Sequence, residues 1–154
     1  MFTAKEIMST PAVNIKENQT VKEALDILAE HKISGLIVVD DEGKVSGIIS
    51  DTDIIRYSQQ RSVIPQSSFS FWTSPYTEID DIASIREGFE MLHRTLISQV
   101  MTKKVHTVKE DTPATDVAKL MNRRNINRVP VIGDDEKLVG IITRSDVVQC
   151  LANL

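Results

Sequence analysis

The feature that most limits how this chain can fold is an internal repeat with a shift of 93 residues. Residues 8–55 align with residues 101–148 without a gap, and 11 of these 48 aligned positions are identical. One identical pair is Asp53 and Asp146, the last residues of the similar stretches 45–53 and 138–146. Self-similarity of this kind predicts two copies of one supersecondary unit that bury their apolar faces together.

The start of each copy predicts a strand followed by a helix. A short extended piece is expected at residues 12–15 and 105–108. Apolar residues then recur at helical spacing. Thr20 is the expected N-cap of this helix in the first copy, and Asp111 or Thr112 in the second.

The second half of each copy predicts a hairpin and a closing helix. The hairpin strands are expected at Leu36–Val39 and Val45–Ser50, and at Val129–Ile132 and Leu138–Thr143. A closing helix should begin near Thr52 and near Ser145, whose hydroxyls can cap it. Pro130 falls inside a predicted strand. Proline donates no ladder hydrogen bond and tolerates only an edge or strand-start position, which fits a short sheet with an accessible edge.

These elements define the fold class. We expect an α/β protein, close to α+β, made of two pseudo-symmetric β-α-β-β-α repeats packed together, because one copy has too few strands to bury both faces alone. Residues 1–56 form the first repeat and residues 100–154 the second. Residues 57–99 form a connecting insert, with an aromatic-rich loop and an amphipathic helix expected from Ser74 to about Ser98.

Composition argues against several classes of protein. The formal net charge of −4 gives no basic footprint for nucleic acid. No apolar run reaches membrane-spanning length, and the N-terminus lacks a signal-peptide pattern. The lone Cys150 suits a reducing compartment, so a cytoplasmic location is expected. No nucleophile–base pair, metal-ligand spacing or phosphate-binding glycine loop is evident, so we expect neither an enzyme nor a metal site.

Two polar clusters stand where the last strand of each copy meets the closing helix, Ser50-Asp51-Thr52-Asp53 and Thr143-Arg144-Ser145-Asp146. A helix N-terminus favours an anion, and an ionised carboxylate can accept both hydroxyls of a ribose. Such a site would suit a sugar phosphate. The alternative is that these side chains only cap the helix, and the sequence leaves both interpretations open.

Each copy resembles a cystathionine-β-synthase (CBS) domain. The resemblance rests on the Met-Ser/Thr opening, the apolar strand before an acidic turn, and the close Gly-Ile-Ile-[Ser/Thr]-x-x-Asp, all present twice. It covers about two-thirds of the chain. A tandem pair of this family, often called a Bateman module, implies binding of AMP, ADP, ATP or S-adenosylmethionine in clefts between the copies.

The resemblance implies two clefts, each built from both copies. The residues implied for the first cleft are Asn14, Ile33, Ser34, Gly35, Arg128, Thr143, Arg144, Ser145 and Asp146. Those implied for the second cleft are Ser50, Thr52, Asp53, Thr107, Ile126 and Asn127. His106 lies beside Thr107 as a further candidate.

Differences between the copies predict unequal clefts. Arg128 has Gly35 as its counterpart, and Arg144 has Asp51. A guanidinium can bind phosphate oxygens, whereas a carboxylate repels them. The Asp146 cleft should therefore favour a phosphorylated ligand. The other cleft should be weaker, empty, or suited to an uncharged or cationic adenosyl ligand.

The sequence thus predicts a regulatory protein that senses an adenosine-type ligand and signals to a partner protein, with no catalytic cofactor. The family resemblance also implies a homodimer. The competing hypothesis is a structural or interaction module with vestigial clefts, in which the aromatic insert is the working surface.

Overall fold

The computed structural model describes residues 1–60 and 79–154. Its helices are α1 (Ala4–Ile7), α2 (Val21–His31), α3 (Asp51–Gln60), α4 (Ile79–Arg94), α5 (Ala114–Arg124) and α6 (Arg144–Ala152). Its strands are β1 (Asn14–Lys16), β2 (Gly35–Val39), β3 (Val45–Ser50), β4 (Val108–Lys109), β5 (Arg128–Ile132) and β6 (Leu138–Thr143). The order β-α-β-β-α is confirmed in both copies.

The strands form two three-stranded sheets with the orders β1-β2-β3 and β4-β5-β6. The hairpin strands lie where the apolar pattern predicts them. The first strand of each copy was predicted too early, since β1 begins at Asn14 and β4 at Val108. In the second copy the reason is pairing, because β4 meets β5 in parallel only from the Val108–Val131 pair onward.

Pro130 lies in the central strand of its sheet, so the predicted edge position is wrong. It stands opposite Ile141 on the antiparallel strand β6. The parallel partner β4 pairs with β5 only at Val131 and Ile132, so no β4 residue is paired with Pro130. The proline therefore lies in a central strand at a position that has no paired residue on β4. This position meets the requirement that proline cannot donate a ladder hydrogen bond.

Helix caps were predicted with mixed success. Thr20 caps α2, since its hydroxyl accepts the Glu23 N–H at 3.3 Å. In the second copy the N-cap of α5 is Pro113, and neither Asp111 nor Thr112 fills that position. The Thr112 hydroxyl instead accepts the Lys109 N–H at 3.1 Å, which stabilises the turn before the helix.

The closing helices begin one residue earlier than predicted. They start at Asp51 and Arg144, and the residues that cap them are Ser50 and Thr143 rather than Thr52 and Ser145. A cap residue must keep an extended backbone, and Thr143 does so with φ −106° and ψ 169°. Thr52 and Ser145 are already helical.

The chain divides into two compact units. The first unit contains Met1–Asn14, Val39–Gly47 and Lys103–Leu154, and the second contains Ile15–Val38 and Ile48–Thr102. The first unit therefore combines most of the second repeat with the opening segment and the hairpin turn of the first repeat. The second unit combines the rest of the first repeat with α4 and the opening of the second repeat. We call residues 1–14 and residues 95–102 the leading segments.

In the first unit the leading segment takes part in the core. Ala4 is fully buried in a cluster with Val117, Met121, Val129, Val131 and Ile142. Backbone bonds fix it there, since the Ala4 N–H donates to the Thr112 carbonyl at 2.7 Å. In the second unit the Val21 N–H donates to the Thr95 carbonyl at 2.8 Å, so that leading segment is held at the start of α2.

The insert helix α4 contacts α2 within the second unit. It ends at Arg94, short of the predicted Ser98, and a 3-10 turn follows at Ile97–Gln99. Leu92 is buried, whereas Phe89, predicted on the same apolar face, is 56% exposed. The expected helix start at Ser74 and the aromatic-rich loop lie outside the described residues. Among the described helices, none is both long and apolar enough to cross a membrane.

Candidate functional site

In the first unit the predicted junction forms a reciprocal cap on α6. The Thr143 N–H donates to Asp146 Oδ2 at 2.7 Å, and the Asp146 N–H donates to the Thr143 hydroxyl at 3.4 Å. The Thr143 hydroxyl also donates to Asp146 Oδ2 at 3.0 Å. Capping is therefore a real role of these residues. It uses only one carboxylate oxygen, so it leaves Oδ1 for other partners.

The second unit repeats this arrangement at α3. The Ser50 N–H donates to Asp53 Oδ2 at 3.0 Å, and the Asp53 N–H donates to the Ser50 hydroxyl at 3.1 Å. Here a cation lies close, because Arg56 Nη1 is 3.8 Å from Asp53 Oδ1. The Asp53 side chain is 12% exposed, so it sits in a sheltered position. The sequence analysis did not identify Arg56, because it lies one helical turn beyond the polar cluster at residues 50–53.

Each leading segment brings a hydroxyl to one of these carboxylates. Ser9 Oγ donates to Asp146 Oδ1 at 3.4 Å, and Thr102 Oγ1 donates to Asp53 Oδ1 at 3.2 Å. Sequence reasoning did not assign a role to either residue. The available signal was the Met-Ser and Met-Thr opening of the two copies, which recurs with the same 93-residue shift.

The loops expected to read an adenine lie beside the junction of their own repeat. The Arg144 N–H donates to the Asn127 carbonyl at 3.1 Å, and the Asp51 N–H donates to the Ser34 carbonyl at 2.9 Å. Arg128 is the register partner of Thr143 in the β5–β6 pair. In each unit a backbone hydrogen bond therefore joins the loop to the junction.

The remaining candidates fall in the same two groups. Ile33 is half-buried and Gly35 is buried in the second unit, where Thr52 is exposed. The first unit holds half-buried Ile126 and Thr107 together with exposed Ser145 and Asn14. The Asn14 side chain donates to the Ala12 carbonyl at 2.9 Å. Each predicted cleft takes residues from both units, and that combination stays a prediction.

The two junctions differ in charge as the sequence indicates. In the first unit Arg128 is half-buried, and the exposed Arg144 donates from Nη2 to Asn125 Oδ1 at 3.4 Å. In the second unit the exposed Asp51 accepts the Thr52 N–H at 2.7 Å. The first junction therefore carries Arg144 two residues before Asp146 and Arg128 paired with Thr143, whereas the second carries Asp51 two residues before Asp53.

A cavity of about 180 Å³ in the first unit reaches Asp146 and is lined also by Phe2, Glu6, Ile7, Gln149, Cys150 and Asn153. This volume is below the roughly 300–1,000 Å³ of typical small-molecule pockets. The described residues include no group of His, Cys, Asp and Glu side chains that could hold a metal ion.

A duplicated β-α-β-β-α unit with a capped aspartate at each strand–helix junction defines a tandem repeat of one small α+β motif. The family of that motif is the CBS domain, whose sequence model matches residues 4–60 and 97–153. The chain therefore belongs to the CBS domain family, and the resemblance inferred from the sequence is confirmed.

Known relatives share this organisation. An uncharacterized protein of Methanocaldococcus jannaschii is 33% identical over 151 residues, which cover 96% of this chain and 89% of that protein. The chloroplastic CBS domain-containing protein CBSX1 of Arabidopsis thaliana is 32% identical over 142 residues, 88% of this chain and 57% of the relative. This chain thus spans little more than half the length of CBSX1.

Among solved structures, the CBS domain pair of protein MJ0100 is similar to this chain with a TM-score of 0.71 and 29% identity. The similarity covers 99% of this chain and 98% of the other. That structure is a complex with 5′-methylthioadenosine and S-adenosyl-L-methionine.

Proposed function

We propose that this protein is a regulatory CBS pair that binds an adenine nucleotide or adenosyl ligand (AMP, ADP, ATP or S-adenosylmethionine) and signals to a partner protein. The observation that carries the proposal is the doubled junction, in which one oxygen of Asp53 and of Asp146 is left outside the helix cap. A carboxylate oxygen at that position is an acceptor for a ribose hydroxyl. The adenosyl ligands in the MJ0100 complex support the same class of ligand.

Ligand binding is tested by replacing the carboxylate while keeping the cap. In Asp146→Asn the amide oxygen can still accept the Thr143 N–H, so α6 should keep its first turn. Hydrogen bonds to charged groups contribute about 1.5–3 kcal/mol, so calorimetry should show affinity for AMP falling roughly tenfold to a hundredfold. Asp116→Asn, an exposed first-turn acid of α5 in the same unit, is the matched control and should bind AMP normally.

The choice of ligand is tested by comparing the two junctions. We propose that AMP binds more tightly at the Asp146 junction, where Arg128 and Arg144 can neutralise a phosphate. Amide NMR resolves the two sites, because Arg144 and Asp51 report on different helices. Tighter binding of AMP at Asp53 would contradict the proposed inequality without affecting adenosyl binding itself.

If no adenosine-type ligand raises the melting temperature, the interaction-module hypothesis takes the place of this one. A ligand that binds only the folded state must stabilise it, by about 2.7 kcal/mol at a hundredfold excess over Kd. A screen with AMP, ATP, S-adenosylmethionine and NAD therefore separates the two hypotheses.

We also propose a homodimer, in line with the family. Support comes from Ile55 on α3 and Val148 on α6, which are 50% and 64% exposed and correspond to each other in the repeat. Apolar positions exposed at equivalent places on two helices fit a symmetric contact with a second copy. Light scattering should give the mass of a dimer for the wild type and the mass of a monomer for Val148→Glu. Gln149→Glu adds the same charge beside it and should leave the dimer intact.

The partner protein and the compartment belong to the same proposal. We expect a cytoplasmic protein whose partner binds one ligand state better than the other, since a ligand shifts only an equilibrium in which it has a preference. Affinity capture with and without AMP, followed by mass spectrometry, tests this. Equal capture in both conditions would argue against ligand-dependent signalling.

A further inference from the structure

The two leading segments are held by matching pairs of backbone hydrogen bonds. The Ser9 N–H donates to the Ile141 carbonyl at 2.8 Å, and the Ile141 N–H returns a bond to the Ser9 carbonyl at 3.1 Å. Thr102 and Ile48 exchange equivalent bonds at 2.8 and 2.9 Å. Both residues of each pair are therefore fixed at the backbone, so the hydroxyls of Ser9 and Thr102 start from defined positions.

Both hydroxyls donate to the carboxylate oxygen that the helix cap leaves unused. Ser9 reaches Asp146 Oδ1, and Thr102 reaches Asp53 Oδ1. This is the oxygen to which a ligand hydroxyl would also have to donate. The leading segments therefore reach the same acceptor atoms as the ligand that the proposed function requires.

Acceptor capacity then differs between the two carboxylates. An ionised carboxylate has about four lone-pair positions, two on each oxygen. At Asp146, Oδ2 accepts both the N–H and the hydroxyl of Thr143, and Oδ1 accepts Ser9, so one position remains. At Asp53, Oδ2 accepts the Ser50 N–H and Oδ1 accepts Thr102. Arg56 Nη1 is 3.8 Å from Oδ1, which is beyond hydrogen-bond distance, so two positions remain.

We propose that Ser9 and Thr102 are specificity-determining residues of the two sites. By occupying one acceptor position each, they leave Asp146 able to bind a single sugar hydroxyl and Asp53 able to bind two. The Asp146 site thus recognises one of the two ribose hydroxyls, and the Asp53 site recognises the intact cis-diol. This inference rests on the proposed adenosyl function, and it adds the number of ribose hydroxyls that each site binds.

The test measures binding of AMP, 2′-deoxy-AMP and 3′-deoxy-AMP at Asp146 through the amide signals at the start of α6. In the wild type, one deoxy analogue should bind at least about tenfold more weakly than AMP, while the other stays within about twofold, because only one hydroxyl has an acceptor. Ser9→Ala frees a second position on Oδ1. In that variant both analogues should bind at least about tenfold more weakly than AMP.

Two variants separate this role from a general effect on the leading segment. Ser9→Thr keeps the hydroxyl and should keep the wild-type pattern. Thr10→Ala removes the neighbouring exposed hydroxyl, which makes no bond to Asp146, and should also keep it. The amide spectra report directly whether each variant is folded.

The outcomes distinguish this inference from the proposed function. Equal losses for both analogues in the wild type, or an unchanged pattern in Ser9→Ala, would overturn the hydroxyl count while adenosyl binding stands. Absence of AMP binding at Asp146 in the wild type would refute adenosyl binding there, and the specificity role of Ser9 with it.

Discussion

Replacing Gly140 by alanine would place a methyl group where the side chain of Met8 already lies. The added Cβ would be 2.9 Å from Met8 Cγ and 3.2 Å from Met8 Cβ, with the sulfur nearer still. The Met8 backbone and Cβ are held in place, because the Met8 N–H donates to the Ala4 carbonyl at 2.9 Å and the next residue is bonded to Ile141. The Met8 side chain must therefore leave its conformation, and the remaining contact with Cβ is relieved only by a small shift of the leading segment or the strand.

Overpacking of this kind costs about 1–3 kcal/mol. In a chain of this length each kcal/mol lowers the melting temperature by roughly 2–4 °C. Urea unfolding followed by circular dichroism, at one fixed protein concentration, should show the loss for Gly140→Ala. Gly133→Ala is the matched control in the same sheet region. Its nearest contact is the Asp135 carboxylate at 3.2 Å, on an exposed side chain that can move.

A double-mutant cycle decides whether Met8 is the cause. In Met8→Ala the space beside Gly140 opens, so adding Gly140→Ala should cost little or restore some stability. The coupling free energy should be about 1–3 kcal/mol, equal to the clash that has been removed. Additive losses from the two substitutions would refute the steric argument, and they would mean that Gly140 is needed for another reason.

Three further substitutions test local features. Thr20→Ala should lower the free energy of unfolding by about 1 kcal/mol through loss of the α2 cap, with AMP affinity unchanged in calorimetry. Gly43→Ala should cost about 1–2 kcal/mol in urea unfolding, because φ is +84° there, and Gly43→Asn should cost less. Hydrogen bonds from the Thr3 backbone N–H and hydroxyl lower the pKa of Glu6. This contact therefore stabilises the fold at pH values above the usual pKa of a glutamate, and the stabilisation is lost as the pH falls through the lowered pKa. Glu6→Gln should therefore weaken the acid dependence of the melting temperature, and an unchanged dependence would contradict this.

The hairpin strands could be placed from the sequence because several signals agree on them. Leu138–Thr143 is apolar, follows a turn, and has a counterpart in the other copy. The short strand β4 could not be placed in the same way. Its start at Val108 is set by where its partner β5 runs, which no local pattern records.

The site was predicted in its chemistry but only partly in its contacts. Asp146 was identified as an acceptor, yet the expected cap of its helix was Ser145 instead of Thr143. Both residues carry a hydroxyl, and only the backbone conformation separates them. The reciprocal cap pattern, with a hydroxyl residue three positions before the aspartate, was present in the sequence and would have given the correct residue.

The contributions of Ser9 and Thr102 were beyond sequence reasoning for a different reason. Ser9 bonds to a residue 137 positions away, and such long-range contacts are fixed by chain topology. The sequence showed that the Met-Ser/Thr opening recurs, but it could not show that each opening is used by the other repeat.

The exchange of leading segments bears on how such a chain could arise. A single copy of the motif would lack the strand-like partner that Ile48 receives from Thr102 and Ile141 from Ser9. Two separate copies could complete each other only by swapping these segments as a dimer, with stability that falls on dilution. Fusion of the two genes makes the same exchange intramolecular, so that it holds at any protein concentration. Once fused, each repeat is free to change its own junction without losing its counterpart, and Arg144 and Asp51 mark a position where the two repeats differ.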